Sequence, residues 1–76
     1  MNRDSFITIW GSMAAFAREI GEGETTVRNW FVRGSIPAKH DEKIMLAAAR
    51  NGRSITPIEL HQLRRSLARE HRGAAA

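Results

Sequence analysis

The sequence has no cysteine, no tyrosine and two prolines, and its large aromatics are three Phe and two Trp. Lack of cysteine excludes disulfides, thiolate nucleophiles and thiolate zinc sites, and fits a reducing compartment. No apolar run approaches the ~20 residues needed to cross a bilayer. The opening stretch MNRDSFITIWGS places Asp4 where a secretory leader wants apolar length. The expectation is a cytoplasmic, nucleoid-associated protein with no membrane contact. No segment sustains the apolar and polar alternation of a strand. At 76 residues there is room for one domain and none for a large buried active site.

What is present is a folding composition, 42% hydrophobic and 26% charged, well away from that of a disordered chain. A chain this short hides roughly 60% of the surface it exposes when unfolded, so a partner chain would add stability. Twelve Lys and Arg against eight Asp and Glu give a formal charge of +4, a balance suited to a polyanionic partner. Residues 1–24 hold two basic and four acidic side chains, or −2, and residues 25–76 hold ten and four, or +6. The positive charge therefore begins at Thr25.

Segments rich in Ala, Leu, Arg and Glu, punctuated by Gly and Pro, predict an all-α, compact bundle of about five short helices. Asp4 or Ser5 caps a first helix carrying Phe6, Ile9 and Trp10, with Gly11 stopping it. Ser12 caps a second over Met13–Ile20, whose Met13, Phe16, Ala17 and Ile20 recur at helical spacing on one face. After GEGE, in which Gly21 or Gly23 is free to take positive φ, a third helix starts near Glu24 and runs to Gly34. Val27, Trp30 and Phe31 form its inner side. Ser35-Ile36-Pro37 makes a turn, and Pro37 suits the first position of a fourth helix ending near Arg50 or Asn51, with Ile44, Ala47 and Ala48 inward.

Thr56, Pro57 and Glu59 occupy the positions of a capping box, the clearest start signal in the chain. That last helix is predicted over 56–71, with 73–76 as a frayed tail. Its Leu60, Leu63 and Leu67 form a narrow seam, expected to be a dimerisation or docking element and assigned as the dimer interface. Arg64, Arg65, Arg69 and Arg72 are either a solvated face flanking this seam or a second phosphate-binding strip. Trp30 is read as a core anchor, and Trp10 as core or interface. There is no internal repeat and no linker that would divide residues 1–76.

Met13–Val32, MAAFAREIGEGETTVRNWFV, holds two amphipathic helices joined by a glycine turn. Ala17 is small where the two backbones meet, Gly21 turns the chain, and Val27 and Trp30 lock the second helix on the first. This stretch resembles the helix-turn-helix domains of the lambda-repressor and Cro type, with Ala17, Gly21, Val27 and Trp30 at the family's alanine, glycine and two hydrophobic anchors. RGSIP at 33–37 and AAARNG at 47–52 also look like parts of small phage-type versions. The resemblance covers residues 4–51, with the helix-turn-helix core at 12–34, and leaves the last helix outside.

The resemblance implies that Glu24, Thr25, Thr26, Arg28 and Asn29 read base edges from the second of the two helices. Side-chain chemistry agrees, since Arg can donate two bonds to guanine, Asn can pair with adenine, and Thr can meet a base, a phosphate or the thymine methyl. Glu24 departs from the pattern, because phosphates repel a carboxylate; it accepts from cytosine N4 or complements the helix dipole. Arg33, Ser35, Lys39 and His40 follow, where the family contacts the DNA backbone, and are assigned to phosphate. The expected function is a sequence-specific double-stranded DNA-binding transcriptional regulator, a phage- or prophage-type repressor. It would bind an inverted-repeat operator as a homodimer through the major groove.

A second reading is a helical protein-interaction module, an antitoxin, anti-activator or phage accessory factor, that docks an acidic protein. An enzyme is not expected. His40, His61 and His71 lack mutual ligand spacing, so no metal is expected either. GEGETT lacks the lysine of a phosphate-binding loop, and no nucleophile, base and orienting acid fall together. Neither a cofactor nor a small-molecule ligand is implied.

Overall fold

Asn2 opens the first helix: its side-chain oxygen accepts from the Ser5 N–H at 2.9 Å, two residues before the expected cap at Asp4. In the computed structural model, which describes the backbone of residues 1–75 and the side chains of residues 1–71, five α-helices follow one another. They are α1 (Arg3–Thr8), α2 (Met13–Ile20), α3 (Glu24–Arg33), α4 (Asp41–Arg50) and α5 (Pro57–Ala75). No strand occurs among the described residues. The chain is an all-α compact bundle, as its composition and periodicity predict.

The predicted punctuation operates at most joints. Ser12 accepts from the Ala15 N–H at 3.1 Å, satisfying a donor that the first turn of α2 would leave orphaned. Gly21 ends α2 at φ 74°, and the Glu22 N–H reaches back to the Ala17 carbonyl at 3.0 Å. Gly23, at φ −68°, instead opens α3 and brings no side-chain cap. Thr56 and Glu59 close their capping box, with the Thr56 N–H on Glu59 at 3.0 Å and the Glu59 N–H on Thr56 Oγ1 at 3.2 Å.

Besides the start of α1, three boundaries differ from expectation. α1 ends at Thr8 with Ile9 as its cap, so Ile9 and Trp10 lie just past the helix rather than on it, and Gly11, at φ 91°, follows in the turn instead of stopping the helix. A 3-10 turn, Ala38–His40, precedes α4, and Pro37 is its cap. The helix starts only at Asp41, because the turn tightens the chain for one more step before four-residue bonding takes over. α5 continues to Ala75, past the predicted end near His71 and through most of the expected tail at 73–76; Ala76 lies outside the described residues.

The inner faces of all five helices meet in one core. Phe6 of α1 lies against Phe16 of α2 with ring centroids 5.0 Å apart, edge to face, and Trp10 closes on Phe16 at 4.5 Å. Trp10 is thus part of the core margin, half-buried rather than displayed. Leu60, Leu63 and Leu67 are 0% exposed. This corrects the assignment of these leucines to a dimer interface: the seam is covered by the chain's own α1 and α3, so it has no surface left to offer a second subunit. Periodicity marks the face as apolar, and α1 and α3 supply its cover.

Gly34 is where α3 meets α5. It takes φ 68°, and a Cβ there would sit 2.7 Å from the Leu67 carbonyl oxygen. No other residue type satisfies both the left-handed backbone and the close approach. Tight passage of the two backbones sets the exit of α3 and the path of the segment after it.

Candidate nucleic-acid interface

α3 divides cleanly into two sides. Val27 is 0% exposed, Trp30 8% and Phe31 3%, so three and four residue steps fix one stripe in the core. Glu24, Thr25, Thr26, Arg28, Asn29 and Arg33 are all exposed on the remaining arc. With Gly23 offering no side chain to cap it, the first turn keeps its free N–H groups, and their partial positive charge favours an anion.

Thr26, Asn29, Arg33 and Ser35 line one shallow surface concavity, with Trp30 and Pro37 contributing its other walls. The fold therefore brings together two of the residues expected to read bases and two expected to hold phosphate. Lys39 is exposed on the 3-10 turn beyond it. Thr25 and Arg28 lie on the arc but do not line the concavity.

Arg28 and Glu24 form an exposed i,i+4 ion pair, Nη2 to Oε1 at 3.4 Å. Such surface pairs contribute roughly 0.3–0.5 kcal/mol. Glu24 thus serves the helix twice, as an acidic group in the first turn and as a tether for the guanidinium one turn on. Of the cations on this side, Arg33 and Lys39 have no ionic partner among the described residues.

His40 is the residue the structure removes from the expected phosphate set. It is 7% exposed, and its ring stacks on Trp30 with centroids 4.8 Å apart and planes 31° from parallel. Its Nδ1 is buried without a hydrogen-bond partner, 3.9 Å from a Glu22 oxygen. Local spacing treated His40 as the neighbour of exposed Lys39, but the 3-10 turn rotates it inward onto the face of the Trp30 anchor.

Arg64 was missed. Its Nε donates to the Ile36 carbonyl at 2.9 Å, and both terminal nitrogens engage the Asp41 carboxylate. It grips both flanks of the Ile36–Asp41 segment that bears Lys39, and it neutralises the Asp41 carboxylate. A signal existed: Arg64 stands next to Leu63, four after Leu60 and three before Leu67, at the margin of the buried stripe. Arg65 and Arg69 are exposed on α5, and the Arg72 side chain lies outside the described residues.

His71 Nδ1 donates to the Val32 carbonyl at 3.0 Å, satisfying an oxygen in the last turn of α3. Among the described residues no three His, Cys, Asp or Glu side chains gather as a metal site, and no helix is long and apolar enough to cross a membrane.

Comparison of the chain with protein-family models, with curated proteins and with solved structures gave no match.

Proposed function

We propose that the chain is a sequence-specific double-stranded DNA-binding domain of a transcriptional regulator, a small repressor of phage type, with α3 entering the major groove. One observation carries this reading. Val27 and Trp30 are buried, while Thr25, Thr26, Arg28 and Asn29 stand exposed along the opposite arc of the same helix. An α-helix fits the major groove, where Arg donates two bonds to guanine and Asn pairs with adenine. Arg33, Ser35 and Lys39 then meet phosphates, fixing register without reading sequence. Glu24 complements the helix N-terminus and steers Arg28.

On an inverted repeat, two copies would place their α3 helices about 34 Å apart, one turn of the duplex. With about 8 phosphates neutralised per dimer, log affinity falls against log salt with a slope near −7. The test is a titration of Arg28→Ala and Lys39→Ala proteins against a selected site and a scrambled duplex. Arg28→Ala should lose about 1–3 kcal/mol of discrimination, whereas Lys39→Ala should weaken both duplexes alike. Equal losses on the two duplexes for Arg28→Ala, or no DNA retention by the unaltered chain, would defeat the reading.

A further inference from the structure

The face of α4 turned away from the core carries Leu46, 55% exposed, with exposed Ala49 one turn further on. Leu46 lies on the rim between two shallow concavities. One is shared with Met45, Ala49, Arg53 and Ile55, the other with Arg18, Lys43 and Arg50. The ends of this face differ in charge. Glu42 stands exposed at the N-terminal end and Arg53 exposed just past the C-terminal end, and neither has an ionic partner among the described residues. Arg50, between them, is already held by Glu19 at 3.2 Å.

We propose that this face pairs two copies of the chain about a two-fold axis, with their α4 helices antiparallel. A two-fold interface must be complementary to itself, so each contact occurs twice. An axis midway between Leu46 and Ala49 lays Leu46 of one copy over Ala49 of the other, a large side chain against a small one that admits a close helix approach. The same operation carries Glu42 of each copy toward Arg53 of the other. A parallel pairing would set Glu42 against Glu42 and Arg53 against Arg53, and would align the helix dipoles unfavourably. An acidic partner would meet Arg53 and the exposed Lys43 and Arg18 at the flank but would leave Glu42 unpaired, whereas a second copy pairs Glu42 with Arg53 at both ends of the face. None of the exposed residues of α3 takes part, and the pairing stands whether or not α3 binds DNA.

Sedimentation of the full chain without DNA, over a dilution series from millimolar concentration, tests the pairing. The expected mass is twice the 8.5 kDa of one chain, falling to one on dilution. Leu46→Glu should give a single chain at every concentration with an unchanged far-ultraviolet circular dichroism spectrum, since Leu46 lies outside the core. Glu42→Arg and Arg53→Glu should each weaken association by about tenfold or more, and the two together should restore it. A single chain at millimolar concentration overturns the proposal, which would leave the face to a different partner. So does a Leu46→Glu protein that pairs like the parent. If Leu46→Glu loses its helical spectrum, the charge exchange decides, and failure of the double variant to recover pairing is then fatal.

Discussion

Helices α3 and α5 are both amphipathic and both carry arginine, yet they use their charges in opposite ways. On α3 the polar arc is left to solvent: Arg28 leans only on Glu24 of its own helix, and Arg33 on no carboxylate among the described residues. On α5, Arg64 is folded inward onto Ile36 and Asp41, and the leucines beside it are completely covered. A cation counted in the sequence is therefore open to solvent at Arg33 of α3 and engaged by the fold at Arg64 of α5, while Arg65 and Arg69 stay exposed on the outer side of α5. The contrast gives the leucine seam and Arg64 of α5 a part in stability and leaves α3 the exposed arc on which the recognition proposed above depends, so substitutions in the two helices should act differently.

The largest effect belongs to the seam. Leu63→Ala removes a fully buried side chain at the meeting of α5 with the core, and should cost about 2–5 kcal/mol. That is a large part of the roughly 5 kcal/mol at the low end for small domains. Leu63→Glu puts an uncompensated charge in the same place and should unfold the chain rather than split a dimer. Urea unfolding followed by circular dichroism measures both. A folded, fully helical Leu63→Glu protein would break the comparison, because it would mean the seam is not core.

How much of this could be read before the structure depends on how local the cause is. The Ser12 cap, the Gly21 stop, the Thr56 and Glu59 capping box and the inward stripe of α3 each involve residues within a few positions of one another, and each stands where the sequence predicts it. Asn2 is as local as these, but Asp4 and Ser5 compete with it as caps, and propensity does not choose among them. The reasons for Gly34, His40 and Arg64 are non-local. Gly34 ends α3 where the sequence predicts the helix to end, but its second reason is the Leu67 carbonyl of α5. His40 is set by a ring in α3 and Arg64 by a carboxylate at the head of α4. Periodicity shows that a face is apolar, not what covers it, which is why the leucine seam was given to a second subunit.

A smaller effect separates the two arginines directly. Arg64→Ala leaves the Ile36 carbonyl and the Asp41 carboxylate without their donor in a partly buried site, and should destabilise by about 1–3 kcal/mol. Arg28→Ala, fully on the surface, should change stability by no more than about 0.5 kcal/mol. In thermal unfolding the first should lower Tm by several degrees and the second should leave it in place. The reverse ranking would show that Arg28 is structural and Arg64 free, inverting the division of labour between the helices.

The smallest effects sharpen the comparison at the helix starts. α5 begins with a closed capping box, while α3 begins at Gly23 with nothing from a side chain on its first N–H groups. Thr56→Ala should therefore cost about 1 kcal/mol, or about 4–8 °C in Tm for a domain of this size. Gly23→Ser supplies α3 with the oxygen it lacks, at a backbone conformation that serine adopts freely and with only Thr26 Oγ1 nearby at 3.8 Å. It should raise stability by a few tenths of a kcal/mol. If the open first turn of α3 receives a phosphate, the same hydroxyl competes for those donors, so Gly23→Ser should bind all duplexes more weakly while melting slightly higher. A variant that gains stability with no loss of DNA affinity would detach the helix start from the interface and confine recognition to the exposed arc from Thr25 onward.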